Sequence, residues 1–168
     1  MKNFIKDLKQ KQQIMIDEGY QVSFLRTFFS DGTSANALYR MTVCLMRYRI
    51  SPLAIITLWL NRVINGCVIG AGAKFEPGFV IMHPVGVVIN SKVTGGHSIV
   101  VESGVVIGDE KGQAPVLGEN IFIGAGAKII GGVTIGNNVK IGANAVVVKD
   151  VPDNVTVVGI PAKVVSKG

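Results

Sequence analysis

An aliphatic residue returns at every sixth position from Leu117 to Val147: Leu117, Ile123, Ile129, Ile135, Ile141 and Val147. Four of these six anchors are followed by Gly. The position four after each is small or β-branched: Ile121, Ala127, Val133, Val139, Ala145 and Val151. A period of six fits neither an amphipathic helix nor an alternating strand. It predicts a chain that turns a corner every six residues, as hexapeptide solenoids do. The register runs back through Ile107, Val101, Gly95 and Ile89, then resumes at Ile81, Phe75 and Ile69, with Val63 as an imperfect first member. Two insertions interrupt it, two residues in IMHPVGVV and four in IGDEKGQAPV. A solenoid accommodates insertions as outward bulges, which commonly build its binding face. The first bulge carries His83.

The period stops near Gly66, and the chain before it reads as helical. Lys2 to Glu18 is a polar helix with a thin apolar stripe. Ser34 to Arg49 is more strongly amphipathic, with Ser34 as N-cap and Leu38, Met41, Leu45 and Met46 on one side. Pro52 opens a short apolar helix through Trp59, and Asn65-Gly66 is a turn signal. The sequence thus divides into a helical region, 1–65, a solenoid, 66–152, and a departing tail, 153–168, marked by Pro152, Gly159 and Pro161.

Composition narrows the partners. The 168 residues carry a net charge of +6 without a dense basic run, which is compatible with an anionic ligand such as a phosphorylated cofactor. No aromatic residues interleave with a basic stripe, which argues against nucleic acid. The two cysteines, Cys44 and Cys67, have no paired spacing and suit a reducing, cytoplasmic setting. No secretory signal is visible. The apolar stretch Pro52 to Ile64 is about half a membrane span, a buried or interfacial helix that leaves room for peripheral membrane contact.

The stretches GAKFEPGFVIMHPVGVVIN, GQAPVLGENIFIGAGAKIIGGVTIGNNVKIGANAVVVKDVPDN and VVGIPAKVV, in that order, resemble the hexapeptide-repeat acyltransferases, and within them the serine acetyltransferase-like group. The resemblance implies a mainly β fold, a left-handed parallel β-helix, assembled as a homotrimer with active sites between subunits and acetyl-CoA as acyl donor. The short N-terminal region resembles family members that act in surface-polysaccharide pathways.

Three hexads make one triangular coil, so Ile81, Val101, Ile123 and Ile141 should stack in one column. Two places after them stand His83, Ser103, Ala125 and Ala143, expected along one edge. With coils about 4.8 Å apart, His83 and Ala143 should be roughly 14 Å apart, comparable to a pantetheine arm. Acyl transfer to a hydroxyl needs a general base, and a positioned imidazole contributes about 10²–10⁴-fold. Of the two histidines, His83 matches the catalytic histidine of the family's H-x-x-G pattern; His97 is expected at a surface or subunit contact. Glu102, one coil above Met82, is the expected carboxylate partner of His83.

By the same resemblance, Ala125 and Ala143 would contact the pantetheine through their backbone, and Lys149 and Lys163 would meet the CoA phosphates. Met82, Asp109 and Gln113 would border the acceptor. Several positions depart from the serine-specific pattern. Val68 replaces an orienting aspartate, Met82 an acidic residue before the histidine, and Gln113-Ala114 an Arg-His pair. These losses favour a sugar or other uncharged hydroxyl over serine, because an amino acid would leave its charges unpaired. Serine O-acetyltransferase is the alternative acceptor reading, and a non-catalytic scaffold is the second alternative. No metal is expected, since a zinc site of the related carbonic anhydrases needs three histidines.

Overall fold

The structure, a computed structural model, describes residues 2–167. Among these described residues, four helices precede the solenoid: α1 (Lys2–Asp17), α2 (Phe24–Phe28), α3 (Thr33–Arg47) and α4 (Ser51–Asn65). Short strands, numbered along the chain, then stack in three columns. The first face holds β1 (Val68–Ile69), β4 (Val88–Ile89), β7 (Val106–Gly108), β10 (Lys128–Ile130) and β13 (Val146–Val147). The second holds β2 (Lys74–Phe75), β5 (Thr94–Gly95), β8 (Val116–Leu117) and β11 (Thr134–Ile135). The third holds β3 (Val80–Ile81), β6 (Ile99–Val101), β9 (Ile121–Ile123), β12 (Lys140–Ile141), β14 (Val155–Val158) and β15 (Lys163–Lys167). The result is a parallel β-solenoid of about four turns.

The period of six is the cause of this stacking. Successive anchors face inward, and Ile81, Ile107, Ile123, Ile129 and Ile141 are fully buried in one continuous aliphatic core. The expected column is present: Ile81 pairs with Val101, Val101 with Ile123, and Ile123 with Ile141. Gly95 occupies an anchor position because the Phe75 ring lies beneath it. A Cβ there would sit 2.6 Å from Phe75 Cδ1. The corner between the second and third faces uses left-handed asparagines in three successive coils. Asn120 donates to Asn138 at 2.9 Å, and Asn138 to Asn154 at 2.8 Å.

An open solenoid end exposes unpaired strand edges. Here side chains of the helical region satisfy them. Asn36 donates to Phe79 O at 2.6 Å and accepts from Ile81 N at 2.8 Å, standing in for a missing strand beside β3. Lys11 Nζ donates to Ile81 O at 3.0 Å. Along β2, Tyr39 Oη donates to Ala73 O at 3.1 Å and accepts from Phe75 N at 3.2 Å. Arg40 donates to Phe75 O and Glu76 O while paired with buried Asp7 at 2.7 Å.

Several sequence expectations change. Val63 belongs to α4, not to a first coil. The N-cap of α3 is Gly32 with φ +75°, and the Ser34 hydroxyl instead donates to Asn65 Oδ1 at 2.6 Å. Helix α4 continues to Asn65, beyond the expected Trp59. The tail does not leave at once: β14 pairs with β12, adding a rung, and β15 then folds back antiparallel to it. Short α2, five residues long, gives no periodic signal in the sequence.

Candidate active site

The bulge in IMHPVGVV sits at the corner between the third and first faces. Met82 N donates to Val101 O at 2.9 Å, just as Glu102 N donates to Ile123 O at 3.1 Å one coil later. Met82 therefore lies over Glu102. Gly104 N donates to Val85 O, and Gly126 N to Ser103 O, so Val85 rather than His83 stands over Ser103. The two inserted residues are thus His83 and Pro84. His83 is pushed out of the column it was expected to share with Ser103, and its side chain is 58% exposed.

An exposed imidazole needs a partner to hold its orientation, and the helical region supplies one. Nδ1 of His83 lies 2.9 Å from Oδ2 of Asp31, in the turn before α3. With a carboxylate as acceptor, Nδ1 carries the proton and Nε2 presents its lone pair outward. Asp31 is placed by its neighbours. Gly32 packs so closely on the strand that a Cβ would lie 2.2 Å from Ile81 O. Lys11, almost wholly buried, donates to the main-chain oxygens of both Asp31 and Ile81.

The hydrogen bond thus goes to Asp31, not to Glu102 as expected from sequence. Glu102 is still part of the electrostatics. Burial raises its carboxyl above the ordinary value and Glu18 adds to that, while His83 and Lys11 oppose the rise. Burial also brings the Lys11 ammonium down to about 8, against the attraction of Asp31 and Glu102. Glu102 thus feels Glu18, His83 and Lys11, and Lys11 feels Asp31 and Glu102, so groups from separate segments meet here. Sequence reasoning missed Lys11, Glu18 and Asp31, because all three reach the site from outside the repeat. The sequence offered one local signal, the Asp31-Gly32 pair at a helix entry.

Residues 114–149 match the family described as bacterial transferase hexapeptide (six repeats). A serine acetyltransferase of Helicobacter pylori is 39% identical over 140 residues, covering 81% of this chain and 82% of its own length. The chain belongs to the serine acetyltransferase family. A second member, from Synechococcus elongatus, is 37% identical over 138 residues, which span 80% of this chain but only 57% of that protein. The chain therefore covers little more than half of that longer relative. Among solved structures, a serine acetyltransferase in complex with CoA superposes with a TM-score of 0.89 at 28% identity, over 98% of this chain and 68% of its own.

Measured against the family pattern, the candidate donor residues fall in two places. Ala125 and Ala143 lie at the same corner as His83, after β9 and β12. That corner is tight: a Cβ on Gly124 would come within 2.7 Å of Ala143 N. Lys149 and Lys163 are both at the C-terminal end, lining one cavity of about 210 Å³. The loop with Asp109 and Gln113 lies elsewhere, between the first and second faces. Asp109 accepts from Asn90 at 2.8 Å, and Glu110 and Gln113 exchange backbone hydrogen bonds. Within one chain this loop and His83 occupy different edges of the prism. His97 is at the remaining corner, its Nδ1 3.3 Å from Pro77 O.

Proposed function

We propose that this chain transfers the acetyl group of acetyl-CoA to the hydroxyl of L-serine, with His83 as general base. The observation that carries the reading is the Asp31–His83 hydrogen bond, at 2.9 Å, beside the Glu102 carboxylate. Nε2 of His83 removes the hydroxyl proton as the oxygen attacks the thioester carbonyl. The tetrahedral intermediate expels the thiolate, which takes the proton back from His83 and leaves as CoA. Asp31 holds the ring and stabilises the imidazolium formed between these steps.

The acceptor assignment differs from the saccharide expected on sequence. That expectation rested on Val68, Met82, Gln113 and Ala114, which remove charges at matched positions. Two considerations favour serine. The relatives are serine acetyltransferases, and carboxylates arrive at the site from unmatched positions. Glu102, with Glu18 in its field, gives an ammonium group a counter-charge that no neutral sugar needs.

Ala125 and Ala143 would line the pantetheine arm, with Lys149 and Lys163 taking the phosphates. Met82 would border the acceptor. A homotrimer completes the arrangement, because only a neighbouring subunit can bring the Asp109–Gln113 loop against His83. The deciding experiment incubates the full chain with acetyl-CoA and L-serine and follows both products. Equimolar O-acetylserine and CoA support the reading; CoA release without O-acetylserine, or no release at all, overturns it.

A further inference from the structure

Helix α4 is built inside out. Its buried positions are Ala54, Thr57, Asn61 and Asn65, one stripe at helical spacing, and three of the four are polar. They are satisfied against α3. The Thr57 hydroxyl meets that of Thr42 at 2.7 Å, Asn61 Nδ2 donates to Ala35 O at 3.3 Å, and Asn65 Oδ1 accepts from Ser34. The opposite stripe is Pro52, Ile56, Trp59 and Val63, all exposed, and Leu53, Ile55 and Ile64 widen it. An ordinary surface helix has the reverse arrangement, apolar inward and polar outward. Helix α3 shows the same tendency, with Met41 and Met46 outward. Among the described residues nothing covers this face.

The charges around the face indicate its occupant. From residue 32 to residue 75 the chain has five basic residues and no carboxylate. Arg47, Arg49 and Arg62 are exposed, the first two where α3 ends and the third on the flank of α4. A second copy of the chain on this face would bring like charges together. An anionic lipid surface offers both an apolar interior and negative headgroups. The exposed Trp59 and Tyr48 rings suit the headgroup level. Among the described residues no helix is long and apolar enough to cross a membrane. At about 1.5 Å per residue, α4 is shorter than the hydrocarbon core and would lie in the interface plane.

We propose that the outer face of α4 docks the protein on anionic membrane surfaces. This holds whatever the acceptor of the acetyl group. Trp59 is the only tryptophan in the chain and stands in the middle of the face, so it reports on docking directly. The experiment adds phosphatidylcholine vesicles, with or without phosphatidylglycerol, to the full chain. With phosphatidylglycerol, Trp59 emission should shift to the blue and be quenched by brominated acyl chains; with phosphatidylcholine alone it should not. R47Q, R49Q and R62Q should each weaken vesicle partitioning about fivefold, the effect of one interfacial charge. I56S should lose partitioning while keeping its thermal melt and its mass by light scattering. Emission indifferent to phosphatidylglycerol vesicles overturns the proposal. So does a drop in oligomeric mass in I56S without vesicle binding by the parent chain, which would make the face a contact between copies.

Discussion

Nδ1 of His83 is held 2.9 Å from the carboxylate of Asp31, a residue 52 positions earlier in the chain. The repeat supplies the imidazole and the helical region supplies its carboxylate partner, so the two parts of the fold meet at the proposed base. Asp31→Asn keeps the size but removes the charge and an acceptor for the ring. It should lower kcat on the order of 10²-fold, within the span of a positioned acid–base pair, and leave the KM for acetyl-CoA unchanged. Steady-state kinetics with acetyl-CoA varied checks the split.

Removing the proposed base should cost more. His83→Ala should reduce kcat/KM by about 10²–10⁴-fold, with CoA affinity by calorimetry intact. His97→Ala, at a different corner against Pro77 O, should stay within about threefold of the parent, well below a general-base effect. The opposite ranking would make His97 the base.

The link between helices and strand runs through Gly32. At φ +75°, with Ile81 O 2.2 Å from any added Cβ, no other residue fits. Gly32→Ala should destabilise the fold by about 1–3 kcal/mol through backbone strain and lower kcat by displacing Asp31. Urea unfolding followed by circular dichroism gives the first number, and turnover at a temperature where the variant is folded gives the second.

The solenoid was almost wholly legible because its signal is a strict period, and each anchor from Ile69 to Val147 is buried or, at Gly95, replaced for the ring beneath it. His83 stands out in the sequence because it falls in a break of that period and in an H-x-x-G stretch. Its partner was not. Periodicity says which residues stack within the repeat and nothing about which helix covers its open end, so Glu102 stood in for Asp31. Helix α4 is half legible for a related reason: its apolar stripe allows a buried or an interfacial helix, and the structure excludes the buried one, because α4 turns Thr57, Asn61 and Asn65 inward to polar partners on α3.

Lys11 ties pH to stability. Its folded value of about 8 lies below the ordinary 10.5, so between those pH values the unfolded chain binds more protons. Stability from this group therefore rises with pH across that window and is lost as pH falls through about 8. The span is on the order of 3 kcal/mol. Lys11→Met should flatten that part of the profile, while costing about 1–3 kcal/mol for the oxygens left without a donor. Urea unfolding of parent and variant at several pH values, taken as a difference, isolates the effect.

In the proposed reaction, carboxylates from outside the matched positions, Glu102 with Glu18 in its field, select an acceptor carrying an amine. The most direct measurement compares kcat/KM for L-serine with that for 3-hydroxypropionate, which keeps the hydroxyl and carboxylate but lacks the amino group. A charge-assisted hydrogen bond is worth about 1.5–3 kcal/mol, so L-serine should be preferred by roughly 10–150-fold, and Glu102→Gln should erode that preference. Equal use of the two compounds, or a nucleotide sugar turned over in preference to L-serine, would contradict the account.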